Sequence, residues 1–90
     1  MTTYAFTITA MQKAVIGVQA DNKEEARRLF KEAWNDWMFR DTAGDLTEDQ
    51  PSRIEWTDGH NEYNPDGIDA DLTQDAHDAI NRLRKKEGKR

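Results

Sequence analysis

Two runs of alternating polarity open the chain. From Thr3 to Ala10, Tyr4, Phe6 and Ile8 share one face while Thr3, Ala5, Thr7 and Thr9 share the other. Period-two alternation of β-branched and aromatic residues predicts a half-buried strand. Lys13 to Ala20 repeats the pattern, with Ala14, Ile16 and Val18 on one face. Met11 and Gln12 lie between the runs, so a hairpin is the simplest connection, although the Asn-Gly turn signal is missing. The period then changes. Ala26, Leu29, Phe30, Ala33, Trp34, Trp37 and Met38 recur at helical spacing, which predicts one amphipathic helix over residues 22–40. Asp21 is the expected N-cap, with Glu24 completing a capping box.

Beyond this helix the apolar signal thins. Asp41 to Pro51 reads as a polar connection containing Gly44. Arg53 to Thr57 alternates again, with Ile54 and Trp56 together, and Asp58-Gly59 marks a turn. His60 to Tyr63 predicts a short further strand, closed by Asn64-Pro65 and Asp66-Gly67. A second helix is expected after Asp71, with Gln74 in the capping-box position, an apolar stripe of Leu72, Ala76, Ala79, Ile80 and Leu83, and Gly88 as its stop.

This order predicts a single α+β domain over residues 1–90. Its three- or four-stranded, mostly antiparallel sheet would carry one long helix across it and a second, C-terminal helix, with residues 84–90 as a frayed basic tail. The expected core is Tyr4, Phe6, Ile8, Ile16, Val18, Leu29, Phe30, Trp34, Trp37, Ile54 and Trp56. Burying each such side chain contributes about 1.5–3 kcal/mol, enough together to hold a small domain. Phe39 falls off the apolar stripe and is expected to turn inward as the helix ends.

The junction Val18-Gln19-Ala20-Asp21-Asn22-Lys23-Glu24-Glu25-Ala26 resembles the strand-to-helix junction of small two-strand, helix, strand proteins of prophages and conjugative elements, the DpnD/PcfM-like group among them. In size, acidity and lack of a catalytic motif the chain is also similar to phage-encoded inhibitors of bacterial defence, including the anti-CRISPR class. The resemblance implies a phage or mobile-element protein at work in the cytoplasm of a bacterial host.

Charge sharpens that expectation. Asp41 to Asp78 holds twelve acidic residues and one basic one, Arg53, a net −11 within a chain of −5. Arg82 to Arg90 holds six basic residues against Glu87. A field of this kind repels nucleic acid and attracts basic protein surfaces. The expected contacts are Asp45, Glu48, Asp49, Asp58, Glu62, Asp66 and Asp69, acting as phosphate substitutes toward a Lys/Arg-rich nucleic-acid channel. The basic tail complements a helix C-terminus, and no appreciable DNA binding is expected at physiological salt. The rival expectations are a homodimeric structural or regulatory module built on the Trp-rich helix end and the basic tail, or a weak nucleic-acid binder through the basic C-terminal helix.

Other chemistries find little support. There is no cysteine, which fits a reducing compartment, and the first residues lack the basic and apolar regions of a signal peptide. No apolar run approaches a membrane span. Glu62 to Gly67 has oxygen ligands before a glycine, but Pro65 stiffens the loop and Thr73 stands where a calcium loop needs a bidentate Glu. Two histidines, His60 and His77, without cysteine do not make a zinc set. Asp75 and Asp78 flank His77 at helical offsets that do not face it, while Asp71 and Asp75 are expected on one side of the last helix. No phosphate loop or nucleophile motif occurs, so no enzyme activity, metal or cofactor is expected.

Overall fold

A computed structural model describes residues 2–48, 53–58 and 67–88. The chain is α+β, with a mixed four-stranded sheet covered on one face by helices. Strands β1 (Thr2–Thr9) and β2 (Lys13–Ala20) form the expected hairpin, pairing from Thr2↔Ala20 to Thr9↔Lys13. This register sets Phe6 opposite Ile16 and Ile8 opposite Ala14, so both apolar rows fall on the same face. Strand β3 (Glu55–Asp58) adds antiparallel to β1, with Trp56 opposite Ile8. The two-residue β4 (Ala70–Asp71) lies parallel to β2, giving the order β3-β1-β2-β4.

The edge beside β2 is held by more than its short ladder. Val15 N–H donates to the Asp69 carboxylate at 2.7 Å, and Asp69 N–H donates to Val15 O at 2.9 Å. Leu72 N–H reaches Gly17 O, while Gln19 N–H donates to the Thr73 hydroxyl. Burial works to raise the Asp71 pKa, but hydrogen bonds from the Thr73 hydroxyl, Thr73 N–H and the Gln19 amide outweigh it and hold the group below the ordinary aspartate range.

Three helices follow, α1 (Lys23–Ala33), α2 (Trp37–Thr47) and α3 (Thr73–Gly88). The expected long helix over residues 22–40 is therefore two helices. Asn22, not Asp21, caps α1, accepting from Glu25 N–H at 2.8 Å, so the Glu24 capping box does not form. Residues 41–47, expected in a polar connection, belong to α2, where Gly44 is buried. Asp71 lies in β4 rather than beside Asp75 on a helix, and Leu72 precedes α3 with its carbonyl accepting from Ala76 N–H. Helix α3 runs through Gly88, so residues 84–88 of the expected frayed tail are helical. The expected strand over His60–Tyr63 lies outside the described residues.

Phe30 is the hub of the core. Its ring stacks on Phe6 at 4.6 Å, meets Trp56 at 4.8 Å and packs edge-on against Phe39 at 5.6 Å. Phe39 turns inward and is 1% exposed. Ala43, Leu72, Ala76, Ala79 and Ile80 complete a core that the expected residue set did not include. Trp37, expected inside, is 60% exposed, as is Met38.

Candidate protein-interaction surface

The surface begins at the joint between α1 and α2. Asn35 N–H and Asp36 N–H donate to carbonyls three residues back, Glu32 O and Ala33 O, so the last turn of α1 tightens before it stops. Asp36 is then extended, at φ −94° and ψ 126°, and its carboxylate accepts from Phe39 N–H at 3.1 Å to start α2. An aspartate at this position offers the backbone an alternative to continuing the helix. Arg40 closes the joint, donating to Trp34 O with its guanidinium 5.8 Å from the Trp34 ring centroid.

Restarting the helix changes its phase. In an uninterrupted helix Trp37 would follow Ala33 by one turn and be buried with it. After the joint the buried stripe is instead Phe39, Ala43 and Thr47, spaced by four, with Gly44 beside it. The opposite face then carries Trp37, Met38, Asp41 and Asp45, all exposed. None of these four side chains has a hydrogen-bond or ion-pair partner among the described residues.

Each end of this stripe has a distinct boundary. At its start, the C-terminal half of α3 lies against the joint. Arg82 binds the Asp36 carboxylate at 2.7 Å, and that side chain is only 11% exposed. The Arg82 guanidinium, helped by Phe39 N–H and Lys86, holds Asp36 below the ordinary aspartate range against the opposing effect of burial. Beside this ion pair runs an open groove of about 460 Å³ whose walls include Trp37, Met38, Leu83, Lys85 and Lys86. At the other end, Glu48 caps α2 in the left-handed region, at φ 57° and ψ 40°. Its carboxylate accepts from the Gln12 side-chain amide, which brings it to the hairpin tip where Met11 is 78% exposed.

The expected contact residues separate into three groups. Asp45 is free on the outer face of α2, and Glu48 is exposed at its end, already engaged by Gln12. Asp69 is exposed, but its carboxylate serves the β2 edge through Val15 N–H. Asp58 has its backbone in β3 and its side chain outside the described set; Asp49, Glu62 and Asp66 lie outside the described residues altogether. Among the described residues the acids are thus not one patch: Asp41, Asp45 and Glu48 follow α2, whereas Asp69 and Asp71 brace a sheet edge. Trp37, Met38 and Asp41 were absent from the expected contacts. Asn35-Asp36, a pair with strong capping preference inside an apolar period, is the signal that would have found them.

Among the described residues no three His, Asp or Glu side chains converge as a metal-ligand set. No described helix is long and apolar enough to cross a membrane. No protein-family model matches the chain, and neither curated proteins nor solved structures show significant similarity to it.

Proposed function

We propose that this chain is a non-enzymatic acidic binding protein, carried by a phage or mobile element, that inhibits a bacterial defence complex of the kind anti-CRISPR proteins target. Its partner is a Lys/Arg-rich surface that otherwise holds nucleic acid, and its contacts are carboxylates. The observation that carries the reading is the run Asp41, Asp45, Glu48 along the exposed side of α2. Successive carboxylates three or four residues apart rise about 4.5–6 Å along a helix, so a rigid scaffold spaces several negative charges without ordering a loop. An arginine fork accepts a carboxylate much as it accepts a phosphate oxygen. Among the described residues Asp41 and Asp45 have no internal ion pair to break before a partner binds.

Reversing charge at Asp45 and Glu48 tests the reading. The wild-type protein, used as bait in a bacterial lysate, should capture a nucleic-acid-handling complex that single- or double-stranded DNA displaces. The Asp45→Lys, Glu48→Lys variant should capture it at least tenfold less well while melting within a few degrees of wild type. Undiminished capture by that variant at physiological salt would overturn the proposal.

A further inference from the structure

The exposed apolar pair at the start of α2 has a different charge on each side of it. Along the surface the order is a basic cluster, Lys85 and Lys86 on α3, then Trp37 and Met38, then Asp41 one turn further along α2. Leu83 is half-buried in the same groove and extends the apolar centre. Arg82 does not belong to the free positive charge, because Asp36 holds it.

This order selects the occupant. A basic partner seated on Trp37 would be repelled by Lys85 and Lys86, and an acidic one by Asp41 and Asp45. A partner that matches both sides presents an apolar centre flanked by the same two charges in reverse. A two-fold rotation about an axis through the apolar centre makes that arrangement from this chain itself, since in an isologous interface each patch meets its own copy. Exposed tryptophan and methionine are the residue types that anchor the centres of such interfaces, with charged residues at the rim.

We infer that Trp37 and Met38 form the centre of a homodimer interface, in which Lys85 and Lys86 of each copy face Asp41 of the other. The interface leaves Asp45 and Glu48 uncovered toward the far end of each α2. Two acidic runs would then be presented by one particle, which lengthens the surface available to a basic partner. The dimer rests on the Trp37 groove and shares only Asp41 with the proposed contacts; it is read on the isolated protein, and the function is tested at Asp45 and Glu48, so either can fail without the other.

Sedimentation velocity at micromolar concentration provides the first reading, with a monomer–dimer equilibrium expected. The Trp37→Ser, Met38→Ser variant should be monomeric at the same concentration and should melt no lower than wild type diluted to its monomeric range, because both side chains are exposed in the monomer. Asp41→Lys should weaken self-association at least tenfold. Adding Lys85→Asp and Lys86→Asp to Asp41→Lys should restore it, a recovery that general loss of solubility or folding would not produce. A wild-type protein monomeric throughout, a Trp37→Ser, Met38→Ser variant that still dimerises, or a charge swap that fails to restore association would overturn the inference. Capture of an acidic or basic peptide in this groove by a chain that stays monomeric would do the same.

Discussion

Helices α1 and α2 are each eleven residues long and adjoin in the chain, yet their outer faces differ in kind. On α1, Arg28 sits between Glu25 and Glu32, reaching the second at 3.0 Å. The hydrogen bond from Arg28 is the chief reason Glu25 lies below the ordinary glutamate range. On α2, Trp37, Met38, Asp41 and Asp45 face solvent with nothing in the described chain to answer them. Where Glu25, Arg28 and Glu32 satisfy one another, α1 gives a partner little to gain. A face with solvent-exposed apolar area and uncompensated charge keeps its binding free energy for another surface.

The largest effect that sharpens this contrast concerns two aromatic residues two positions apart. Phe39→Ala should cost about 3–5 kcal/mol, since the ring is buried against Phe30 and Trp34 and its loss opens a cavity. At concentrations where the chain is monomeric, Trp37→Ala should change stability by no more than about 0.5 kcal/mol, as surface substitutions do. Denaturant unfolding of the two variants measures both. Equal losses would mean that Trp37 is packed after all and that the faces of α2 are not divided as described.

Asp36 comes next, because it sets the phase that exposes Trp37. Asp36→Ala removes a helix cap worth about 1 kcal/mol. It also removes a charged pair worth about 1 kcal/mol more, discounted because Arg82 is 39% exposed. A total loss near 2 kcal/mol is expected. The same group makes stability pH-dependent. Its folded pKa is depressed, so the unfolded state binds a proton more readily. The stabilisation is therefore complete above the ordinary aspartate range and is lost as pH falls through that range toward the lower folded value. Acid titration of the melting temperature should show a shallower low-pH decline in Asp36→Ala than in wild type.

Glu48 has the smallest expected effect. A non-glycine residue in the left-handed region carries a steric cost, while glycine adds unfolded-state entropy and here loses the Gln12 contact. Glu48→Gly should thus raise stability by about 0.5 kcal/mol and at the same time remove one carboxylate from the α2 run. A melting temperature that rises as partner capture falls would separate the functional from the structural role of this position. A fall in melting temperature would show that the Gln12 contact outweighs the backbone strain.

The strands and α1 were legible because their signals are local. Phe6 and Ile8 sit two apart, Ile16 and Val18 likewise, and a strand with one buried face must turn each pair inward, though the pairing register itself comes from the structure. Ala26, Leu29, Phe30 and Ala33 define α1 in the same way, and all four are buried. Beyond Trp34 the apolar period no longer matches the buried side. Trp34, Trp37 and Met38 continue the arithmetic of the apolar period, and period alone does not report a break. Asn35-Asp36 carried the contrary signal, but a capping preference of about 1 kcal/mol is small beside the expected burial of a tryptophan.

By itself, the amino-acid sequence determined an α+β domain, the inward face of each hairpin strand, the first helix and an acidic stretch with a basic end. These depend on residue type and short-range spacing, which are present before the chain folds. Only the tertiary structure decided which aromatic of α2 is buried, because Phe39 and Trp37 compete for one place beside Phe30 and the Asp36–Arg82 pair settles the phase from forty-six residues away. It also divided the carboxylates between work inside the fold and exposure, since whether Asp69 finds Val15 N–H, or Asp45 finds nothing, depends on which backbone lies opposite. Charge is a property of the chain, whereas availability of that charge is a property of the packed molecule.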